Sequence, residues 1–210
     1  KVTIDDIDRA VRNVLRKKFE LGLFENPYVD PAKAAKTVRS KEHREVAREV
    51  ARKGIALLKN DGILPLSKSL KRVAVIGPNA DVAYNQLGDY TAPQAREEIR
   101  TVLDGVRSHV SKGTEVVYVK GCAIRDTTAS NIAEAVEAAK SCDVTILVVG
   151  GSSARDFKTE YFSTGAAKVD ENAALADMDS GEGYDRASLN LLGDQEKLMG
   201  ALIDAGVKLV

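Results

Sequence analysis

"RVAVIGPNAD", residues 72–81, is a run of β-branched and small apolar residues that stops at a glycine and a proline. It lacks the polar alternation of a half-exposed strand, so it reads as a strand buried on both faces and ended by a turn. The same signature returns in "EVVYVKG" (115–121), in "DVTILVVGG" (143–151) and, more faintly, in the terminal "VKLV" (207–210). Between these runs lie helical patterns at about 97–111, 130–141 and 193–205. Strands that alternate with helices predict an α/β fold: a doubly wound, mostly parallel sheet sandwiched by helices. The sheet reads as incomplete, because the last strand has no covering helix after it. Ligands of such sheets collect beyond the carboxyl ends of the strands. Three loops are therefore candidates: "GPNADVAYNQLGDY" after the first strand, "GCAIRDTT" after the second, and the long insert after "LVVGG".

Working outward toward the start, Thr3 is placed to cap a helix, with Asp6 three positions later as its capping-box partner. Ile4, Ile7, Val11, Val14, Leu15 and Phe19 recur at helical spacing over 4–20, so this helix is expected to bury one face. Gly22 ends it, and "LGLFENPYVDP" follows as a turn-rich connector. A second helix is expected from Ser40 through "KEHREVAREVARKGIALLKN", with Val46, Ala47 and Val50 toward a core and Gly54 weakening its last turns. The sequence starts without Met, directly in a helical pattern, which suggests a fragment or processed piece.

Composition excludes some classes of function. Hydrophobic residues make up 44% and charged residues 30% of the 210, an ordinary globular balance. Lys plus Arg equals Asp plus Glu at 31 each, so no net field exists to gather nucleic acid or anionic lipid. No apolar run approaches the roughly 20 residues that span a bilayer. Cys122 and Cys142 allow one bridge or two free thiols, and lack the C-x-x-C spacing of a zinc site. His43 and His109 are far apart, each on a predicted helix with polar neighbours, and read as solvated. No cofactor or metal is expected. Gly77-Pro78-Asn79 matches neither the dinucleotide nor the Walker pattern, so it reads as a turn.

The carboxylates remain. The insert carries Asp156, Glu160, Asp170, Glu171, Asp177, Asp179, Glu182 and Asp185, together with Phe157, Tyr161, Phe162 and Tyr184. For most of these acids the expected state is an exposed acidic loop. Glu182 differs, because Gly181 and Gly183 let the backbone bend and leave room beside its carboxyl for a bulky substrate. Such a group at the ligand end of a sheet can act as a general acid.

In order and spacing, "IDRAVRNVLRKKFELGLFENPYVDP", "REVARKGIALLKNDGILPL", "VAVIGPNAD", "LGDY" and "SGEGYDRASLNLLGDQEKL" resemble family-3 glycoside hydrolases, the β-glucosidase and β-xylosidase group. The resemblance runs over nearly the whole chain. It implies that residues 1–38 are the end of an N-terminal (β/α)8-like barrel domain and a linker, and 39–210 the α/β sandwich domain without its C-terminal part. It implies exo-acting retaining hydrolysis of β-glucosidic or β-xylosidic bonds in an oligosaccharide or other β-glycoside, with a barrel aspartate, absent here, as nucleophile. Glu182 matches the acid/base in the E-G-x-D-R motif, with Asp185 and Arg186 in support. Glu160 is the runner-up, because about 28 residues separate "LVVGG" from "SGEGYDR" and this loop varies within the family. The missing barrel domain is the implied partner, and a periplasmic or secreted location the implied site of action. The rivals are a noncatalytic α/β module that holds a nucleotide or carbohydrate, and an inactive homologue whose sandwich domain is a scaffold.

Overall fold

The computed structural model describes residues 1–91, 94–154, 160, 162–164, 168, 176–181 and 185–210. It divides into two compact units, Lys1–Asp61 and Gly62–Val210.

The first unit is helical. Helix α1, Ile4–Glu20, opens with the expected capping box, in which Thr3 and Asp6 satisfy each other's backbone N–H groups, and Leu21 and Gly22 close it. A short helix α2, Pro31–Thr37, stands in the predicted connector. Asp30 accepts from the N–H groups of Ala32 and Lys33, and Pro31 occupies the first turn, where its missing N–H costs nothing. Helix α3, Lys41–Gly54, starts at Ser40 as expected but ends earlier than the pattern predicts. Ile55 leaves the helix in an extended conformation, directly after the residue with the poorest helix propensity other than proline. The predicted burial of one face is not met in either long helix: no residue of α1 or α3 is buried, and Val11, Val46 and Val50 are exposed.

The second unit is the α/β layer. Strands β1 (Arg72–Ile76), β2 (Glu115–Val119) and β3 (Val144–Leu147) form a parallel sheet in the order β2-β1-β3. Val73 pairs with Val116 on one side and Val144 on the other. The terminal run adds to the far edge of β3, where Leu209 bridges Thr145 and the N–H of Leu147 donates to the carbonyl of Val210. Central β1 is buried from Val73 to Ile76, as its uniform apolar sequence requires.

Alternate side chains of β1 serve opposite layers. Ala74 and Ile76 pack with Val119, Cys122, Ala135, Ala139, Leu198 and Leu202, beneath helices α5 (Ile132–Lys140) and α6 (Gln195–Asp204). Val73 and Val75 pack with Ala80, Leu103 and Val144, on the side of helix α4 (Val102–His109). The doubly wound reading therefore holds. Helix α4 is shorter than predicted, because Thr101 and Asp104 build a capping box there and residues 96–98 form a separate 3-10 turn. Arg96 ties the two pieces by pairing with Asp81 at 3.2 Å and Asp104 at 2.9 Å.

Candidate functional site

In the order β2-β1-β3 the chain passes from β1 to β2 at one edge and then crosses β1 to reach β3 at the other, so the gap between the carboxyl ends of β1 and β3 is the topological switch point. Polar side chains fill it. The N–H of Val148 donates to the Ile76 carbonyl at 2.7 Å, which extends the ladder past the last strand residues. Asn79 then donates its side-chain amide to the Gly151 carbonyl at 3.2 Å, and Asn85 donates to Asn79 Oδ1 at 2.6 Å. Ser152 Oγ donates to Asn85 Oδ1 at 2.8 Å. The loop after β1 and the loop after β3 are thus locked together by short polar side chains, which the turn reading of "GPNA" accommodates and a phosphate cradle does not require.

The far limb of the long insert returns to this place. Asp179 donates its N–H to the Ser152 carbonyl at 2.9 Å, and its Oδ1 accepts the Ser152 N–H at 2.8 Å. Its other oxygen, Oδ2, lies 3.0 Å from the guanidinium of Arg186. The side chain of Asp179 is only 2% exposed, and burying an unpaired carboxylate would be costly, so these partners are what permit it there. A Cβ on Gly151 would fall 2.4 Å from Asp179 Oδ2, so only glycine lets the carboxylate approach this closely. Asp177, two residues earlier, accepts the N–H groups of Ile124 at 3.0 Å and Arg125 at 2.9 Å and so joins the limb to the loop after β2. Met178 between them is buried.

Gln195, at the start of α6, joins the same loops from below. It is 1% exposed; its Oε1 accepts the Gly150 N–H at 2.9 Å, and its Nε2 donates to the carbonyls of Ile124 at 3.0 Å and Leu192 at 3.2 Å. Beside it, Lys197 lies 2.6 Å from Asp194, and together with the Ser130 hydroxyl it holds the Asp194 carboxyl below the usual range. Burial, with a smaller push from the Asp194 charge, drives the Cys122 thiol up to about 11, so this free cysteine is inert filling.

The predicted site residues are placed unevenly. Glu182 and its neighbours Gly183 and Tyr184 lie outside the described residues. Gly181 before it has φ +151°, a conformation in which a side chain is strained, and a Cβ there would come 3.2 Å from Asp89. Arg186 reaches back to Asp179 and also donates to the Asn190 carbonyl at 2.5 Å. Asp185 is exposed. Glu160 is exposed and pairs with Lys168 at 2.9 Å, while its carbonyl accepts the Lys168 N–H. Asp179 departs from the exposed state expected for most acids of the insert, since it is buried, whereas Asp177 is exposed; both are nonetheless anchored to backbone N–H groups of other loops. No local spacing signals this: Asp179 and Ser152 are 27 positions apart. Among the described residues no group of His, Cys, Asp and Glu is arranged to hold a metal ion, and no helix is long and apolar enough to cross a membrane.

Comparison with known proteins gives a consistent result. The sequence model of the glycosyl hydrolase family 3 C-terminal domain matches residues 55–210. A β-xylosidase of Formosa agariphila is 37% identical over 95% of the chain and 25% of its own length. A periplasmic β-glucosidase of Salmonella typhimurium is 36% identical over 72% of the chain and 23% of its own length. Among solved structures, a β-glucosidase involved in saponin metabolism from intestinal bacteria superposes with a TM-score of 0.74 at 33% identity, covering 98% of this chain and 29% of that one. The chain spans about a quarter of the length of the curated relatives it matches.

Proposed function

The chain belongs to glycosyl hydrolase family 3, and on that premise we propose that it is part of a retaining, exo-acting β-glycosidase for β-glucosidic or β-xylosidic bonds. In this reading residues 1–38 end a barrel domain and linker, and the α/β unit presents Glu182 as general acid/base to an active site shared with that barrel. The nucleophilic aspartate belongs to the barrel. The two carboxyl groups of a retaining pair stand about 5 Å apart, so the acid-bearing loop must be held firmly against its own domain. The observation that supports the reading is this anchoring: the limb that leads into Gly181-Glu182-Gly183 is pinned at the carboxyl end of the sheet through Asp177 and Asp179.

The reaction then divides into two steps. The barrel aspartate attacks the anomeric carbon while the protonated Glu182 gives its proton to the departing oxygen; the resulting carboxylate next takes a proton from water as it attacks the glycosyl ester. The substrates are oligosaccharides or other β-glycosides, no cofactor takes part, and the setting is periplasmic or secreted.

The test uses the polypeptide in which this chain is joined to its barrel. Glu182→Ala should slow alkyl β-glucosides and β-xylosides, whose leaving oxygens need a proton, by about 10²–10⁴-fold. Dinitrophenyl glycosides should retain a fast first step, and azide should restore their second. If Glu160→Ala produces this pattern and Glu182→Ala does not, the acid is Glu160. The 210-residue chain alone should hydrolyse neither substrate.

A further inference from the structure

Resting on the assignment of Glu182 as acid/base, we infer that Asp179 is a positioning residue for it, acting through Arg186. One carboxylate links the two sequence flanks of Glu182. Asp179 stands three positions before Glu182 and Arg186 four positions after it, and their side chains meet at 3.0 Å. The rest of the Asp179 carboxylate is fixed to the body of the domain, since its Oδ1 accepts the Ser152 N–H at 2.8 Å and its own N–H donates to the Ser152 carbonyl. Ser152 is in turn held by Asn85, and Asn85 by Asn79. A continuous chain of hydrogen bonds thus runs from the loop after β1 to the two residues that flank Glu182 in sequence, Asp179 and Arg186.

An ion pair on an exposed loop contributes little, but Asp179 is 2% exposed on its side chain and Arg186 28%, so this pair is held away from water and has a defined geometry. Arg186 spends its second anchor on the Asn190 carbonyl, which fixes the stretch leading into α6. Joining Asp179 to Arg186 fixes the two described ends of the segment that carries Glu182. The contribution to rate is therefore one of orientation: a proton donor displaced by about 1 Å loses on the order of 10²-fold.

Asp179→Asn keeps the shape and the acceptor for Ser152 but turns an amide toward the guanidinium. Arg186→Gln removes the same link from its partly exposed end, and it carries the test if Asp179→Asn yields no folded protein. Both are made in the barrel-containing polypeptide beside Glu182→Ala and Arg186→Lys, with melting temperature measured for each. The expected result is a loss of kcat/KM of about 10²-fold on alkyl β-glycosides and under about 3-fold on dinitrophenyl β-glycosides for Asp179→Asn and Arg186→Gln, with Arg186→Lys partly restoring the alkyl rate. Equal losses on both substrates, as lost folded protein would produce, overturn the inference; so does full activity on both. If Glu182→Ala shows the leaving-group dependence while Asp179→Asn and Arg186→Gln do not, the positioning role alone fails. If Glu182→Ala lacks it, the acid/base assignment fails first and takes this inference with it.

Discussion

Replacing Gln195 tests whether the loops at the carboxyl end of the sheet are held as described. The side chain is 1% exposed and serves three backbone groups: the Gly150 N–H, the Ile124 carbonyl and the Leu192 carbonyl. Gln195→Leu keeps the approximate volume and removes all three hydrogen bonds. A buried backbone group left without a partner costs about 1–3 kcal/mol, and two of the three incur this cost, the third being left to water: Ile124 is buried, while Gly150 and Leu192 are half-buried. Against this, the apolar side chain gains about 1–2 kcal/mol from burial. The net loss is about 1–4 kcal/mol, which for a unit the size of Gly62–Val210 lowers Tm by about 2–16 °C. Gln195→Glu provides the internal control. Its carboxylate still accepts from Gly150 but faces two carbonyl oxygens, a setting that favours the protonated acid. A folded-state pKa raised above the unfolded value of about 4.3 leaves stability fully present below that value and removes it as pH rises. The Tm gap between Gln195→Glu and the unchanged chain should therefore be narrow at pH 4 and wide at pH 8. Circular-dichroism melts of the whole chain at both pH values measure this. A Gln195→Leu protein within about 2 °C of the unchanged chain, or a Glu gap that does not vary with pH, would refute the reasoning.

Other outcomes follow from the same geometry. Asp143 is held below the usual carboxylate range by the backbone N–H groups of Arg72 and Lys71, so its contribution is present above the unfolded pKa of about 3.9 and lost as pH falls through the lower folded value; Asp143→Asn should lower Tm at pH 7 and match the unchanged chain in strong acid. With the Cys122 thiol buried and pushed up to about 11, a thiol reagent at pH 8 should label Cys142 quickly and Cys122 only in denaturant, and two fast equivalents would contradict the packing. Gly151→Ala would set a methyl 2.4 Å from Asp179 Oδ2 and break the Ser152 contact, so limited proteolysis should cut faster between 152 and 179 while the strand core stays protected. Unchanged cleavage there would show that the two limbs are not joined.

The secondary elements of the α/β unit were legible because their causes are local. Four apolar residues in a row with no polar alternation make β1 a central strand, and Thr101 with Asp104, like Thr3 with Asp6, place helix starts within one turn of sequence. Helix α2 is equally local in cause, since Asp30 before Pro31 is a start signal, although the prolines of "NPYVDP" also fit a turn-rich connector. The early end of α3 shows a local competition of the other kind, in which Gly54 stops a helix that the apolar "IALL" pattern would have continued.

The sequence by itself determined the buried parallel strands, the caps, the helices on both faces and the glycine-flanked acid that carries the family resemblance. Which acids of the insert are anchored to other loops, and that Asp179 alone of the two at its far limb is buried, was decided only by the tertiary structure. Asp177 and Asp179 look like their neighbours in composition, and their partners Ile124 and Ser152 are 53 and 27 positions away. Asn79 and Gln195 likewise act on residues 72 and 71 positions distant. A carboxylate is tolerated away from water only where N–H groups and a guanidinium converge on it, and that convergence exists only once the strands have brought their carboxyl ends together.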